Sequence, residues 1–442
     1  MDLILALLFS FAMLLFSIIK GYFIAYPLLL SLGLFTVVLM RRGFPLKALM
    51  VMGFASSQKS FAVLSILLLI GAVTAIWIAA GTVPALVYYG IQLLNPQYFI
   101  LSAFILTSLV SMLLGTSFGT VGTIGIALMI VAKEGNINLH LTSGAIIAGA
   151  YLGDRCSPMS SSANLVASLT GTKLYKNIRN MLMTAWLPLM ASILLYWLFS
   201  INNPVQINAE NLISKIPIFF TLSFWALLPA LVILVLAILK IDVRISLLLS
   251  VVAGVAIGVL LQNYSLLQLL KVALLGFNLE SKTDLDIILT GGGIVSMVRV
   301  TVVVLLSTTL AGIIAGTRTL AVVDSLLKKA SSRSHLFFIT TLVSLASAAF
   351  GCTQTIAIIM TQQLVKEKYE QERLNNYQLA TDIENTAVVL APLIPWNIAG
   401  LVPANILMTD SGYIPYAFYL YLIPLFHWML LKLAKSRGVK LF

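Results

Sequence analysis

Asp154 stands in Gly153-Asp154-Arg155-Cys156-Ser157-Pro158-Met159-Ser160-Ser161-Ser162-Ala163-Asn164, between apolar runs at 141–152 and 165–170. A charged side chain at the centre of a lipid-embedded helix costs roughly 2.5–3.5 kcal/mol on insertion scales, so an acid in such a setting points to a use. Proline and serines also release backbone groups from the helical ladder, and these must face protein or water. A second acidic stretch, Ala380-Thr381-Asp382-Ile383-Glu384-Asn385-Thr386-Ala387, leads into Ala391-Pro392-Leu393-Ile394-Pro395-Trp396-Asn397. Hard cations such as Na⁺ take oxygen ligands. Asp154, Ser157, Ser160, Asn164, Glu384, Thr386 and Asn397 supply such oxygens. A carboxylate in a low-dielectric cavity resists carrying a bare charge, so it can hold a proton or a metal cation in turn.

The elements that must position these groups are membrane helices. The chain has 442 residues, 60% hydrophobic and 10% charged, with a mean hydropathy of +1.03. A soluble domain carries about 25% charged residues, and about 20 apolar residues span a bilayer. The fold class expected is an all-α polytopic membrane protein. Its net charge of +12 is concentrated in loops, as the positive-inside rule requires, and no nucleic-acid module accompanies it. Two cysteines make neither a disulfide framework nor a metal cluster, and no cofactor is expected. Met1-Asp2-Leu3 lacks a basic signal-peptide start, so the run to Ile19 reads as a retained first span.

Runs at 3–19, 22–40, 61–80, 98–114, 181–199, 216–239, 245–261, 337–350 and 413–431 read as spans, and 173–179 as an amphipathic surface helix. Basic or charged loops are expected at 41–47 and 366–373. The stretches near 81–97 and 317–334 either span or re-enter, which gives about 11–13 crossings with discontinuous helices. The order of features repeats: Gly81 and Gly316 lie 235 positions apart, and Gly115 and Gly351 lie 236 apart, each before a break. Loops basic in one half are poorer in the other: three Lys/Arg at 173–179 have no counterpart at 409–413, which holds Asp410. This predicts two inverted repeats, 1–200 and 216–442, joined by a polar loop at 201–215, with 173–179 and the C-terminus cytoplasmic. Arg299 reads equally as a snorkelling residue and as a buried partner for an acid, Asp154 beside Arg155 allows a local ion pair, and the three histidines attract no assignment.

Enzyme chemistry finds little support. The serine-rich stretch 153–164 has no Gly-x-Ser-x-Gly elbow, the chain has no Walker motif, and an intramembrane aspartyl protease would need two catalytic aspartates where the second break offers Asp382 and Glu384 instead. Charged breaks in both halves fit alternating access better than a channel.

Four places carry a family resemblance. Gly115-Thr116-Ser117-Phe118-Gly119-Thr120 is similar to Gly-Thr-Ser-Trp-Gly-Thr, and Gly153–Asn164 to Gly-Asp-Lys-x-Ser-Pro-Leu-Ser-Asp-Thr-Thr-Asn. Glu384-Asn385-Thr386-Ala387 sits where Glu-Asp-Ser-Gly stands, and Pro392-Leu393-Ile394-Pro395-Trp396-Asn397 matches outright. These residues resemble the NhaC family of sodium/proton antiporters, within the wider ion-transporter group. The resemblance implies Na⁺/H⁺ exchange across the plasma membrane, with Asp154 and Glu384 as Na⁺ ligands that also take protons. It extends the binding set to Thr116 and Ser117, and to Ser161 and Asn385, which replace two family aspartates. The alternative it implies is Na⁺- or H⁺-coupled transport of an amino acid or small carboxylate. A homodimer is compatible with either reading.

Overall fold

The computed structural model describes residues 2–58, 61–93, 96–203, 217–239, 241–278, 291–317, 330 and 332–437. Helices dominate it, and among the described residues the sole β pairing is an isolated bridge between Phe277 and Gly291. The protein is all-α and membrane-integral. Large apolar side chains such as Leu30, Phe54, Leu109, Trp186, Leu194 and Leu248 are exposed, as a lipid-facing surface requires. Among the described residues, Leu174–Asn202, Ile294–Gly316 and Arg333–Gly351 are each long and apolar enough to cross a bilayer, and many other apolar helices are shorter. One core runs through both halves, from Leu64 to Ile423.

Several expected boundaries shift. The stretch 173–179 is not a separate surface helix but the first turns of Leu174–Asn202. The charged stretch 366–373 is largely helical, the end of Gln354–Gln371, where Lys366–Glu370 (3.8 Å) and Lys368–Glu372 (2.7 Å) pair one turn apart. The span expected over 216–239 is interrupted. Ser223 accepts from the backbone N–H of Trp225 and starts a new helical segment, and Pro229 sits in the first turn of Leu228–Ile238, where its missing N–H costs nothing. Leu46–Gln58 is a helix where a loop and no span were expected. The connecting loop at 201–215 falls outside the described residues from 204 onward, as do 318–329.

Two helix pairs and two broken helices frame the centre. Phe99–Leu114 turns at Gly115 and returns as a helical run starting at Ser117. Gly115 is needed twice over: its φ is +67°, and a Cβ there would lie 2.6 Å from the carbonyl carbon of Met159. Arg333–Gly351 turns at Cys352, also left-handed at φ +52°, and returns as Gln354–Gln371. Thr116 and Thr353 cap the two returning helices. Close packing holds the first pair to Leu139–Cys156. A Cβ on Gly153 would lie 2.0 Å from the Ser111 carbonyl, while Ser111 Oγ accepts from Gly153 N (3.1 Å) and donates to Ala150 O.

The first broken helix is Leu139–Cys156 followed by Ser161–Thr170, and the second runs 376–393 and then Ile398–Ile406, bent by 51°. They lie antiparallel. His140 pairs with Asp410 at one end (2.9 Å), Tyr151 donates to Ala399 O (2.8 Å), and Lys176 lies over Tyr377 at the other end (4.1 Å). Their breaks therefore meet in the middle of the bundle.

Candidate functional site

Asp154 lies in the last turn of Leu139–Cys156 and is 3% exposed. Its Oδ2 accepts from Gln354 Nε2 (2.8 Å) and from Ser162 Oγ (3.3 Å), and its carboxylate also accepts from the backbone N–H of Ser117. Every one of these donors is neutral. The tips of both helix pairs thus touch this acid, one through Ser117 and one through Gln354. Gln354 also donates to Val388 O (3.2 Å), tying Asp154 to the second broken helix.

The serines around Asp154 divide by role. Ser160 caps Ser161–Thr170, accepting from the N–H groups of Ser162 and Ala163 (3.1 Å each) and donating to Asp154 O. Ser157 is buried and accepts from Met159 N (3.2 Å). Ser161 and Asn164 are exposed, and Asn164 Nδ2 donates to Ser160 O (2.7 Å) and Pro158 O (3.2 Å). Of the three consecutive serines, it is Ser162 that reaches the carboxylate.

On the second broken helix, Glu384–Val388 forms a buried π turn, a rare widening of the helix found mostly at functional positions. Glu384 is fully buried, and among the described residues neither carboxyl oxygen has a hydrogen-bond partner. Asn385 Oδ1 accepts from Arg155 Nη2 and from Thr184 Oγ1 (3.4 Å). Thr386 Oγ1 donates to Asp382 O (2.7 Å) and accepts from Ser344 Oγ (2.8 Å). Asn397 caps Ile398–Ile406 through Ala399 N (3.0 Å) and donates to Ala348 O (2.7 Å). Trp396 packs, donating to Ala349 O (2.6 Å) with its ring edge-on to Phe11. Thr116 is committed to capping.

Arg155 forms no ion pair with its neighbour Asp154. Successive helix residues point about 100° apart, and Arg155 instead faces Met181 O (3.1 Å), Thr184 Oγ1 (2.7 Å) and Asn385. Asp382 is the well-held acid. Arg333 (2.6 Å), Tyr369 (2.5 Å) and His427 (3.1 Å) all reach its carboxylate. His427 and Arg333 were not marked by the sequence; each lies far along the chain from Asp382, and only the fold brings them together. Arg299 is exposed and lines a cavity of about 360 Å³ with Tyr22, Pro395 and Asp410, so it is no buried partner for an acid. A second cavity, about 270 Å³, is lined by Lys176, Thr184, Arg333, Tyr377 and Asp382 at the other end of the bundle.

The centre therefore holds two carboxyl groups, one ringed by neutral donors and one bare, on breaks of antiparallel helices. Such a pair suits a small cation or a proton, since either neutralises a buried carboxylate that has no donors of its own.

Comparison with known proteins agrees with this chemistry. The model of the Na⁺/H⁺ antiporter family matches residues 3–163 and 149–434. The chain is similar to an uncharacterised Na⁺/H⁺ antiporter of Haemophilus influenzae, at 30% identity over 81% of this chain and 80% of that protein. It is similar to the Na⁺/H⁺ antiporter NhaC of Alkalihalophilus pseudofirmus, at 29% over 81% and 79%. It is also similar to the malate-2H⁺/Na⁺-lactate antiporter of Bacillus subtilis, at 30% over 79% and 76%. On these matches the chain belongs to the NhaC family of Na⁺/H⁺ antiporters.

Proposed function

We propose that the protein is a secondary active transporter, not an enzyme, and exchanges Na⁺ for H⁺ by alternating access at Asp154 and Glu384. The observation that carries this is the fully buried Glu384 carboxyl with two unpartnered oxygens, beside an Asp154 held by neutral donors. A bare buried carboxylate is costly, so Glu384 holds a proton until a cation replaces it. Asp154 offers Na⁺ a second oxygen, and the hydroxyl of Ser162 and the amide of Gln354 lie beside it. Family membership supports the ion pair exchanged.

The two helix pairs approach the centre from opposite ends, and the two broken helices run antiparallel; both support inverted repeats with discontinuous helices and 11–13 crossings. The cavities at the two ends, 360 and 270 Å³, support access from either side in turn. Lys173, Lys176 and Arg179 share one end with Arg333 and the last helix, which supports a cytoplasmic location for that end and for the C-terminus.

A second reading, exchange of a small organic acid, is favoured by Arg155, a buried guanidinium with only neutral partners, and by the relative whose name includes malate and lactate. Proteoliposomes separate the two. Na⁺ added outside vesicles that are acid inside should dissipate the pH gradient under the first reading. A gradient untouched by Na⁺ but dissipated by an external organic acid together with Na⁺ would replace it with the second.

A further inference from the structure

Arg155 is a buried charge whose structural partners are all uncharged. Its guanidinium reaches Met181 O, Cys156 Sγ, Thr184 Oγ1 and Asn385 Oδ1, its Nε has no partner, and among the described residues no carboxylate forms a salt bridge with it. One residue along from Asn385 is Glu384, with two bare acceptor oxygens. Among the described residues the amide Nδ2 of Asn385 is also unpartnered. Unused donors and unused acceptors therefore lie within electrostatic reach of one another, yet not joined. A buried guanidinium and a buried carboxylate gain most by meeting, because each then loses the cost of an uncompensated charge. Glu384 is also within electrostatic reach of Asp154, where a cation would sit.

We infer that Arg155 is a positioning residue that competes with the transported Na⁺ for the Glu384 carboxylate. With Na⁺ bound, Glu384 turns toward Asp154 and the ion; once Na⁺ has left and before a proton arrives, the ionised carboxylate turns toward Arg155. The anchors at Thr184 and Asn385 keep the guanidinium one residue from its target, and the neutrality of those anchors leaves its charge available. An internal rival keeps Na⁺ affinity low enough for release on the far side, which a carrier needs as much as capture. This rests on the Na⁺/H⁺ reading above.

The test is Na⁺ binding to the purified full-length protein, followed by a radioactive Na⁺ scintillation assay in detergent. Arg155→Gln should tighten Na⁺ binding at least tenfold, while Arg155→Lys should stay within about threefold of wild type. In a Glu384→Gln background the Arg155→Gln change should make no difference, since the carboxylate competed for is gone. Should Arg155→Gln not yield folded protein, Thr184→Val carries the test with the opposite sign: loosening a neutral anchor frees the guanidinium for Glu384 and weakens Na⁺ binding several-fold. Na⁺ affinity indifferent to these changes, or shifted equally in both backgrounds, overturns the inference alone. A wild-type protein that binds no Na⁺ overturns the exchange reading as well.

Discussion

Asp382 and Glu384 lie two residues apart on one helix, and both are fully buried, yet their surroundings are opposite. Asp382 is reached by a guanidinium, a phenol and an imidazole, drawn from three other helices. Glu384 is reached by no hydrogen-bond donor among the described residues. Burial alone thus says little about role. An acid whose charge is matched by fixed partners holds helices together, whereas one left bare must draw its compensation from something that comes and goes. Asp154 falls between the two, with donors that are all neutral and so leave its charge for a cation.

Substitutions should break this contrast in a definite order. The largest effect falls on Glu384→Gln and Asp154→Asn: Na⁺-driven proton movement in proteoliposomes should fall by more than a hundredfold, while size-exclusion profiles remain those of folded protein. Asp382→Asn should act on stability instead. Removing one partner of a buried ion pair leaves Arg333 uncompensated, at a cost of about 3–5 kcal/mol. Denaturant unfolding in detergent would register that loss. Gln354→Ala removes one neutral donor from Asp154 and loosens the tip of the second helix pair; the KM for Na⁺ should rise about tenfold, about 1.4 kcal/mol, with a smaller change in maximal rate. Smallest is Tyr369→Phe, which takes a single hydrogen bond from Asp382 and should lower stability by about 1 kcal/mol without altering the KM for Na⁺.

Much of the frame was legible in the sequence, because long apolar runs become helices and glycine, proline and serine interrupt them. The helices Asp2–Ile19, Ala25–Arg41, Phe61–Ala79 and Phe99–Leu114 follow their apolar runs to within a few residues. Charge density misled at 366–373, where pairing one turn apart keeps a polar segment helical. Lys47 and the polar end Ser56-Ser57-Gln58 disguised a helix whose small-residue face, Gly53 and Ser56, packs on Val298–Gly316 while Met50, Val51 and Phe54 face outward. Near the centre, acids between apolar runs drew attention to both stretches, but the sequence was silent on partners. That Gln354 meets Asp154, 200 residues away, depends on where two hairpin tips converge. Ser162 rather than Ser161 faces the carboxylate because Ser160 caps the helix and sets its phase. The partners of Arg155 were hidden for the same reason: adjacency to Asp154 allowed an ion pair that the helix geometry turns away.

The central claim is that exchange depends on the bare acid and not on the paired one. Its most direct test is the initial rate of Na⁺-driven proton movement, per folded molecule, for Glu384→Gln and Asp382→Asn side by side in proteoliposomes. The account predicts a rate at background for Glu384→Gln and a rate within about threefold of wild type for Asp382→Asn, reading a tenfold difference as about 1.4 kcal/mol. Exchange that survives in Glu384→Gln and vanishes in folded Asp382→Asn would contradict it.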